Sequence, residues 1–274
     1  MAIEKLDVRT TLNYWDDPGD GSEPTPVIIG KGKISNKRPH KPHPFTISDI
    51  RGEEHLFTLD NAGFQYCVSP SAEAAFTDDQ RIREIYYREC EELVKAITGA
   101  RAVHVFNHKV RRGPTQWHHL GLHNLANRGP VTRTHVDQSY AGAERRLRWE
   151  FNREGEADDL LSRRYQIINV WRPIEPILKD PIAVADARSV PDADLVAAAL
   201  VEDDFHGESW VVRHNPQHRW LYKHGMTPSE ALLIKCFDSD ESVARRALHS
   251  AFEDPAHADR ESRQSIEVRT LVFY

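Results

Sequence analysis

Beyond residue 100 the apolar residues come in short bursts rather than helical periods, which restricts the chain to a β-rich fold. Ala102–Asn107, Tyr165–Trp171, Ile182–Asp186, Ser209–His214, Trp220–His224, Ala231–Phe237 and Ser265–Tyr274 are β-branched or aromatic and bounded by Pro, Gly, Asn or Asp. So many strands with so few crossover helices favour an antiparallel barrel or jelly roll over a parallel α/β sheet, giving a mainly β fold with flanking helices. The strongest helix is expected over Asp79–Ile97. There Ile82, Ile85, Tyr86, Leu93, Val94 and Ile97 share one face, Thr77 or Asp78 can cap the start, and Gly99 follows the end. Such a helix would pack on the outside of a sheet. Further helices are expected over Ala143–Glu154 and Asp192–Val201. Residues 23–44, with five prolines among basic residues, read as an extended arm.

A chain of 274 residues can bury one large core, so a single domain is expected. With a formal charge of -6, nothing in bulk electrostatics points to nucleic acid or an anionic membrane. No apolar run approaches the roughly 20 residues that a membrane helix needs. The N-terminal MAIEKLDVRTTLNYW shows no signal-peptide core, so a cytoplasmic location is expected. Cys67, Cys90 and Cys236 are too scattered for a disulfide framework and read as buried thiols.

Fifteen histidines are present, and only spacing can single out a ligand among them. His135-Val-Asp137 stands out. Two residues apart on a strand, an imidazole and a carboxylate point to one face. One more histidine would complete a two-histidine, one-carboxylate facial set, the arrangement diagnostic of non-haem iron(II). His249 and His257 are the candidates, and His249 is favoured because His257 lies in a polar loop. The last strand adds a second sign. Its even positions Ile266, Val268 and Val272 are apolar, while its odd positions are Arg263, Ser265, Glu267 and Arg269. A polar inward row suits a barrel that holds an anionic small molecule, since guanidinium grips carboxylate with two hydrogen bonds. Arg263 follows His249 by one hairpin, so ligand and clamp are expected side by side. Asn169, Trp171 and Tyr165 share a strand face, with Arg172 next. If that face points inward, Asn169 meets a cosubstrate and the others wall the pocket. Lys109 belongs to a basic stretch, Asn107 to Arg112, placed at the entrance.

The segments Thr11–Trp15, Asn107–Arg112, His135–Ser139, Asn169–Ile174, Cys236–Ser239, His249–Phe252 and Arg263–Arg269 resemble a fungal and bacterial family of natural-product oxygenases. That family includes gibberellin desaturase-like and cephalosporin 7α-hydroxylase-like enzymes. The resemblance spans nearly the whole chain in order. It implies a double-stranded β-helix (jelly roll, cupin-like) formed by residues 101–274, with residues 1–100 supplying N-terminal strands and a supporting helix. It also implies iron(II) and 2-oxoglutarate, with dioxygen as cosubstrate, and oxidation of a small metabolite by hydroxylation, desaturation or ring formation. His135, Asp137 and His249 would be the metal ligands. Arg263 and Ser265 match an Arg-x-Ser pattern that holds the far carboxylate of 2-oxoglutarate, with Arg269 a second candidate and Asn169 a further contact. Trp171, Arg172, Lys109 and Tyr165 would meet the substrate, itself a candidate carboxylate. Two other readings stay open here: an iron oxidase without 2-oxoglutarate, and a metal-free barrel binding an organic anion.

Overall fold

The computed structural model describes residues 5–274; the four residues that open the N-terminal stretch read above lie outside them. The short apolar segments form strands, in chain order β1 (Val8–Trp15), β2 (Val27–Gly30), β3 (Lys33–Ser35), β4 (His40–Asp49), β5 (Phe64–Val68), β6 (Ala102–Arg111), β7 (His135–Val136) and β8 (Tyr165–Pro173). They continue as β9 (Ile182–Ala185), β10 (Leu195–Glu202), β11 (Phe205–Val212), β12 (Trp220–Tyr222), β13 (Glu230–Asp238), β14 (His249–Ala251) and β15 (Ser265–Phe273). The helices are α1 (Leu59–Ala62), α2 (Asp79–Arg81), α3 (Tyr87–Thr98), α4 (Tyr140–Glu150) and α5 (Glu156–Leu161).

Two sheets result. One has the order β1-β4-β12-β9-β14-β7-β11-β10-β2-β3, the other β5-β13-β8-β15-β6. Pairing is antiparallel except where β2 lies beside β10 and β4 beside β12. This is the expected jelly roll. Among the described residues, no helix is long and apolar enough to cross a membrane.

The long expected helix forms as α2, a π-helical stretch Ile82–Tyr86, and α3 in continuous succession. Asp78 accepts from the amides of Gln80 and Arg81, and Gly99 ends the helix at φ 72°. Its buried face, with Ile82, Tyr86, Cys90 and Val94, packs on the outside of the five-stranded sheet against Ile266, Val268 and Val272. Each such side chain, fully buried, stabilises the fold by roughly 1.5–3 kcal/mol. Because the even positions of β15 face this helix, its odd positions face the space between the sheets.

Three local expectations are corrected. Only Asp192–Asp194 of the stretch Asp192–Val201 is helical. Leu195–Glu202 is β10, laddered from Leu195↔Val212 to Glu202↔Phe205, so pairing overrides the helix preference of its alanines. The proline-rich arm is largely strand: β2 and β3 form a hairpin and β4 begins at His40. Pro42 and Pro44 are tolerated because that half of β4 has β1 as a neighbour, while β12 joins only at Ser48 and Asp49. Finally, His249 and Arg263 are not hairpin neighbours. β14 belongs to the ten-stranded sheet and Arg263 leads into β15 of the other, so they face each other across the barrel. The first hundred residues also supply strands to both sheets, and strand pairing crosses the division expected near residue 100.

One crossing positions the functional region. A Cβ on Gly129 would lie 2.1 Å from the Pro114 carbonyl oxygen, and one on Gly113 would lie 2.0 Å from that of Asn127. The amides of Arg112 and Gly113 donate to the Arg128 carbonyl at 3.0 and 2.9 Å. From this crossing the chain runs through residues 128–134 into β7 as a taut strap. Trp117 Nε1 donates to the Pro130 carbonyl at 2.8 Å, Asn13 Nδ2 to that of Thr132 at 2.8 Å, and the Thr134 amide to that of Asn13 at 2.9 Å. Gly129→Ala is predicted to force the backbones apart and lower stability by about 3 kcal/mol in urea unfolding. Gly30→Ala, whose Cβ has only the Asp203 carboxylate nearby, at 3.8 Å, is predicted to stay within about 0.5 kcal/mol of the parent.

Candidate metal centre

β7 places His135, and its antiparallel pairing with β14 sets His249 directly opposite. The two rings lie 4.3 Å apart between centroids. Asp137 follows as the chain leaves β7, with Oδ1 3.4 Å from His135 Nε2. One donor atom from each of His135, Asp137 and His249 lies within 4.8 Å of the others. Both histidines are oriented from behind: Nδ1 of His135 meets the Arg133 carbonyl at 2.7 Å, and Nδ1 of His249 meets that of Ala247 at 3.4 Å. A proton on Nδ1 leaves the lone pair on Nε2 for a metal. Burial, and then the neighbouring His135, push the His249 imidazolium down to about 4, so this ring is neutral at physiological pH.

Asp137 is held more elaborately. Its Oδ2 accepts from Asn169 Nδ2 at 2.8 Å and from Arg269 Nε at 2.7 Å. Glu267 closes the ring by accepting from Arg269 at 2.7 Å and from Asn169 at 3.2 Å. Burial opposes the Asp137 charge, but Arg269 and His135 outweigh it and hold the carboxyl well below the usual carboxylate range. With Oδ2 saturated, Oδ1 is the oxygen left to meet a metal. Arg269 alone would cancel the charge of Asp137; Glu267 restores one net negative charge to the group, which suits a dication.

Arg269 is therefore engaged, and the other arginine is not. Arg263 NH1 donates to the Asp180 carbonyl at 2.9 Å, while Arg263 Nε, Ser265 Oγ and Asn169 Oδ1 are buried without a hydrogen-bond partner among the described residues. The Arg263 guanidinium carbon lies 5.1 Å from the Trp171 ring centroid. Buried polar atoms are rarely left bare, so this row fits a ligand carrying a carboxylate.

The remaining expected residues separate. Trp171 faces inward but packs in an apolar cluster with Ile182, Leu221 and Leu232 rather than lining the cavity, whereas Lys109 lines the cavity with Glu202 at 3.7 Å. Burial, followed by Arg128 and Arg269, brings the Lys109 ammonium down to about 8. Arg172 does not face the site. On β8 it alternates with Trp171, pointing to the outer side, where Nε donates to the Tyr86 hydroxyl at 3.0 Å and NH1 to the Pro228 carbonyl at 2.7 Å. Tyr165 points inward but is packed in the apolar cluster at the closed end, 4.9 Å from Phe237. Neither is placed to meet a substrate.

Above Asp137 and Arg269 opens a cavity of about 200 Å³. Its walls include Ile29 and Ile34 of the β2–β3 hairpin, Phe106 and Arg111 of β6, Trp117, His118, Phe205, and Arg128 and Arg133 of the strap. The hairpin lies within residues 23–44, which the sequence suggested as an extended arm, and the strap is absent from the sequence reading. A signal for Arg133 was present: it alternates with His135 and Asp137, the same period-two logic that singled out the ligand pair.

A family described as oxidoreductase/YMDC permease-like domain matches residues 12–273. A hydroxylase/desaturase of Hormonema carpetanum is 35% identical, covering 100% of this chain and 97% of its own length. An alpha-ketoglutarate-dependent dioxygenase of Talaromyces stipitatus is 33% identical, covering 84% of each chain. The chain belongs to this family of 2-oxoglutarate-dependent oxygenases. Among solved structures, an iron and alpha-ketoglutarate-dependent endoperoxidase is similar over 100% of this chain and 99% of its own, with 25% identity and a TM-score of 0.84. The family resemblance seen in the sequence and the jelly roll are both borne out. Within an oxygenase of this family, the Glu267 ring predicts that Glu267→Gln weakens Mn(II) binding about tenfold, as partners behind a ligand commonly do. Arg172→Met, on the outer face, is predicted to leave Mn(II) affinity within about twofold while lowering stability by about 2 kcal/mol, from the bonds it removes. Titration followed by electron paramagnetic resonance of free Mn(II) checks both.

Proposed function

We propose that this oxygenase holds iron(II) on His135, Asp137 and His249, takes the far carboxylate of 2-oxoglutarate on Arg263 and Ser265, and oxidises a small organic molecule in secondary metabolism. Residues 5–274 act as one oxygenase domain. The observation that carries the assignment is the contrast between the two arginines. Arg269 is fully engaged in orienting Asp137, whereas Arg263 and Ser265 present bare polar atoms on the same inward row.

When bound with dioxygen, iron(II) and 2-oxoglutarate supply an oxidant able to take hydrogen from an unactivated carbon. The chain's own contribution is orientation. Asn169 and Arg269 fix which oxygen Asp137 offers, and the backbone carbonyls behind His135 and His249 fix their rings. Trp171 supports the Arg263 guanidinium from its face, a stacking that suits a planar cation. The β2–β3 hairpin and Trp117 cover the cavity and keep water from the reacting region. The substrate carries a carboxylate, and the outcome is hydroxylation, desaturation or ring formation according to which carbon the cavity presents.

Succinate formation from 2-oxoglutarate with iron(II), ascorbate and oxygen tests the ligand set. His135→Ala and Asp137→Ala are each predicted to lower it about 100-fold. Arg263→Met is predicted to raise the 2-oxoglutarate concentration needed by roughly 10- to 100-fold, through loss of a bidentate carboxylate contact. Unchanged turnover in Asp137→Ala, or an unchanged 2-oxoglutarate requirement in Arg263→Met, would contradict the assignment.

A further inference from the structure

The cavity above the candidate metal centre carries more positive charge than its own residues neutralise. Of its cations, Arg269 pairs with Asp137 and Glu267, Arg146 with Glu150 at 3.0 Å, and Lys109 with Glu202 at 3.7 Å. Arg38, Arg111, Arg128 and Arg133 also line it, and among the described residues none of the four has a carboxylate oxygen within 4.0 Å. Arg38 turns Nε and NH2 to the carbonyls of Thr25 and Ala199, both at 2.7 Å, and Arg111 donates NH1 to that of Gly129 at 3.1 Å. Arg128 Nε and Arg133 NH1 are shielded from solvent and have no hydrogen-bond partner among the described residues.

A guanidinium N–H shielded from water and left bare is costly unless something supplies an acceptor, and a positive group favours an anionic one. 2-Oxoglutarate does not answer for these two. In the reading above, its far carboxylate goes to Arg263 and Ser265, where the chain enters β15, and its keto-acid end would be taken up by the metal. Arg128 and Arg133 instead stand on the strap, whose course is set by the Gly113–Gly129 crossing and by the bonds to Trp117 and Asn13. The same strap delivers His135. An acid group held on it therefore sits at a set distance from the metal, in a cavity whose walls bring the apolar Ile29, Ile34, Phe106, Trp117 and Phe205 together with polar residues such as Asn36, Gln138 and Glu208.

We infer that Arg128 and Arg133 form the anchor for the substrate's acidic group, and that the substrate is an apolar organic acid. The inference rests on the proposed metal and 2-oxoglutarate assignment and names the chemistry of what binds beside it. The anchor sets which carbon faces the oxidant, because strap and ligand move as one piece.

The test uses full-length protein loaded anaerobically with iron(II) and 2-oxoglutarate. The probes are naphthalene-2-carboxylate and its uncharged carboxamide, with binding read by calorimetry. The carboxylate is expected to bind at least about tenfold more tightly than the amide. That preference is expected to fall to about twofold or less in the Arg128→Met/Arg133→Met double variant and to persist in the Arg128→Lys/Arg133→Lys one, which keeps the charge. The visible charge-transfer band of the iron–2-oxoglutarate complex should be the same in all three proteins. Equal binding of acid and amide, binding of neither, or a preference that survives in the methionine double variant would overturn the inference. Absence of the band in the parent protein would instead overturn the metal and cosubstrate assignment, so the two failures are distinguishable.

Discussion

The hydrogen-bonded ring of Asp137, Asn169, Arg269 and Glu267 is the interaction on which the rest of the site depends. Asp137 comes from the end of β7 in the ten-stranded sheet; the other three come from β8 and β15 in the five-stranded one. The ring therefore ties the sheets together at the level of the candidate ligands and orients the carboxylate in the same act. Its members are buried or nearly so. Removing one partner of such a set strands a charge in a poorly solvated interior, typically at about 3–5 kcal/mol, whereas the complete ring satisfies both carboxylates. That asymmetry makes the arrangement all or none, which suits a group whose task is to hold one oxygen in place.

Much of the frame was legible in the sequence because it rests on local periodicity. The alternation in β15 separated Ile266, Val268 and Val272, which meet α3, from Arg263, Ser265, Glu267 and Arg269, which face inward. His135 and Asp137 followed from the same rule, and the capped helix after Asp78 from its 3.6-residue stripe. What escaped were features fixed by distant pairing. Leu195–Glu202 carries helix-forming alanines, but its ladder with β11 makes it a strand. Along the chain Arg263 was the first candidate for the cosubstrate carboxylate and Arg269 the second, with nothing local to decide between them. Only the approach of Asp137 and Asn169 from other strands shows that Arg269 is engaged and Arg263 is not. Arg172 was misplaced by one step of a strand, and one step exchanges the two faces of a sheet. Of the strap arginines, Arg133 kept the period of His135 and Asp137, whereas Arg128 was hidden because the crossing at Gly113 and Gly129 leaves no periodic trace.

The division of labour between the two sheets bears on function. The ten-stranded sheet and its strap carry His135, His249, Arg128 and Arg133. The five-stranded sheet, braced by α3, carries the inward polar row. The candidate metal ligands and the proposed cosubstrate clamp thus sit on opposite walls of one barrel, and a molecule between them would contact both. Families of oxygenases that share such a centre can differ in product simply through which substrate carbon the outer cavity presents. In this chain the outer cavity is lined by the β2–β3 hairpin, Trp117 and the strap, the elements with the least periodic sequence.

An anaerobic crystal structure with iron(II) and 2-oxoglutarate tests the central claim most directly. The account predicts metal density bounded by His135 Nε2, Asp137 Oδ1 and His249 Nε2, with the far carboxylate of 2-oxoglutarate against Arg263 and Ser265 and the Arg269–Asp137 contact intact. Metal bound away from these three residues, or 2-oxoglutarate drawing Arg269 off Asp137 while Arg263 stays bare, would contradict it.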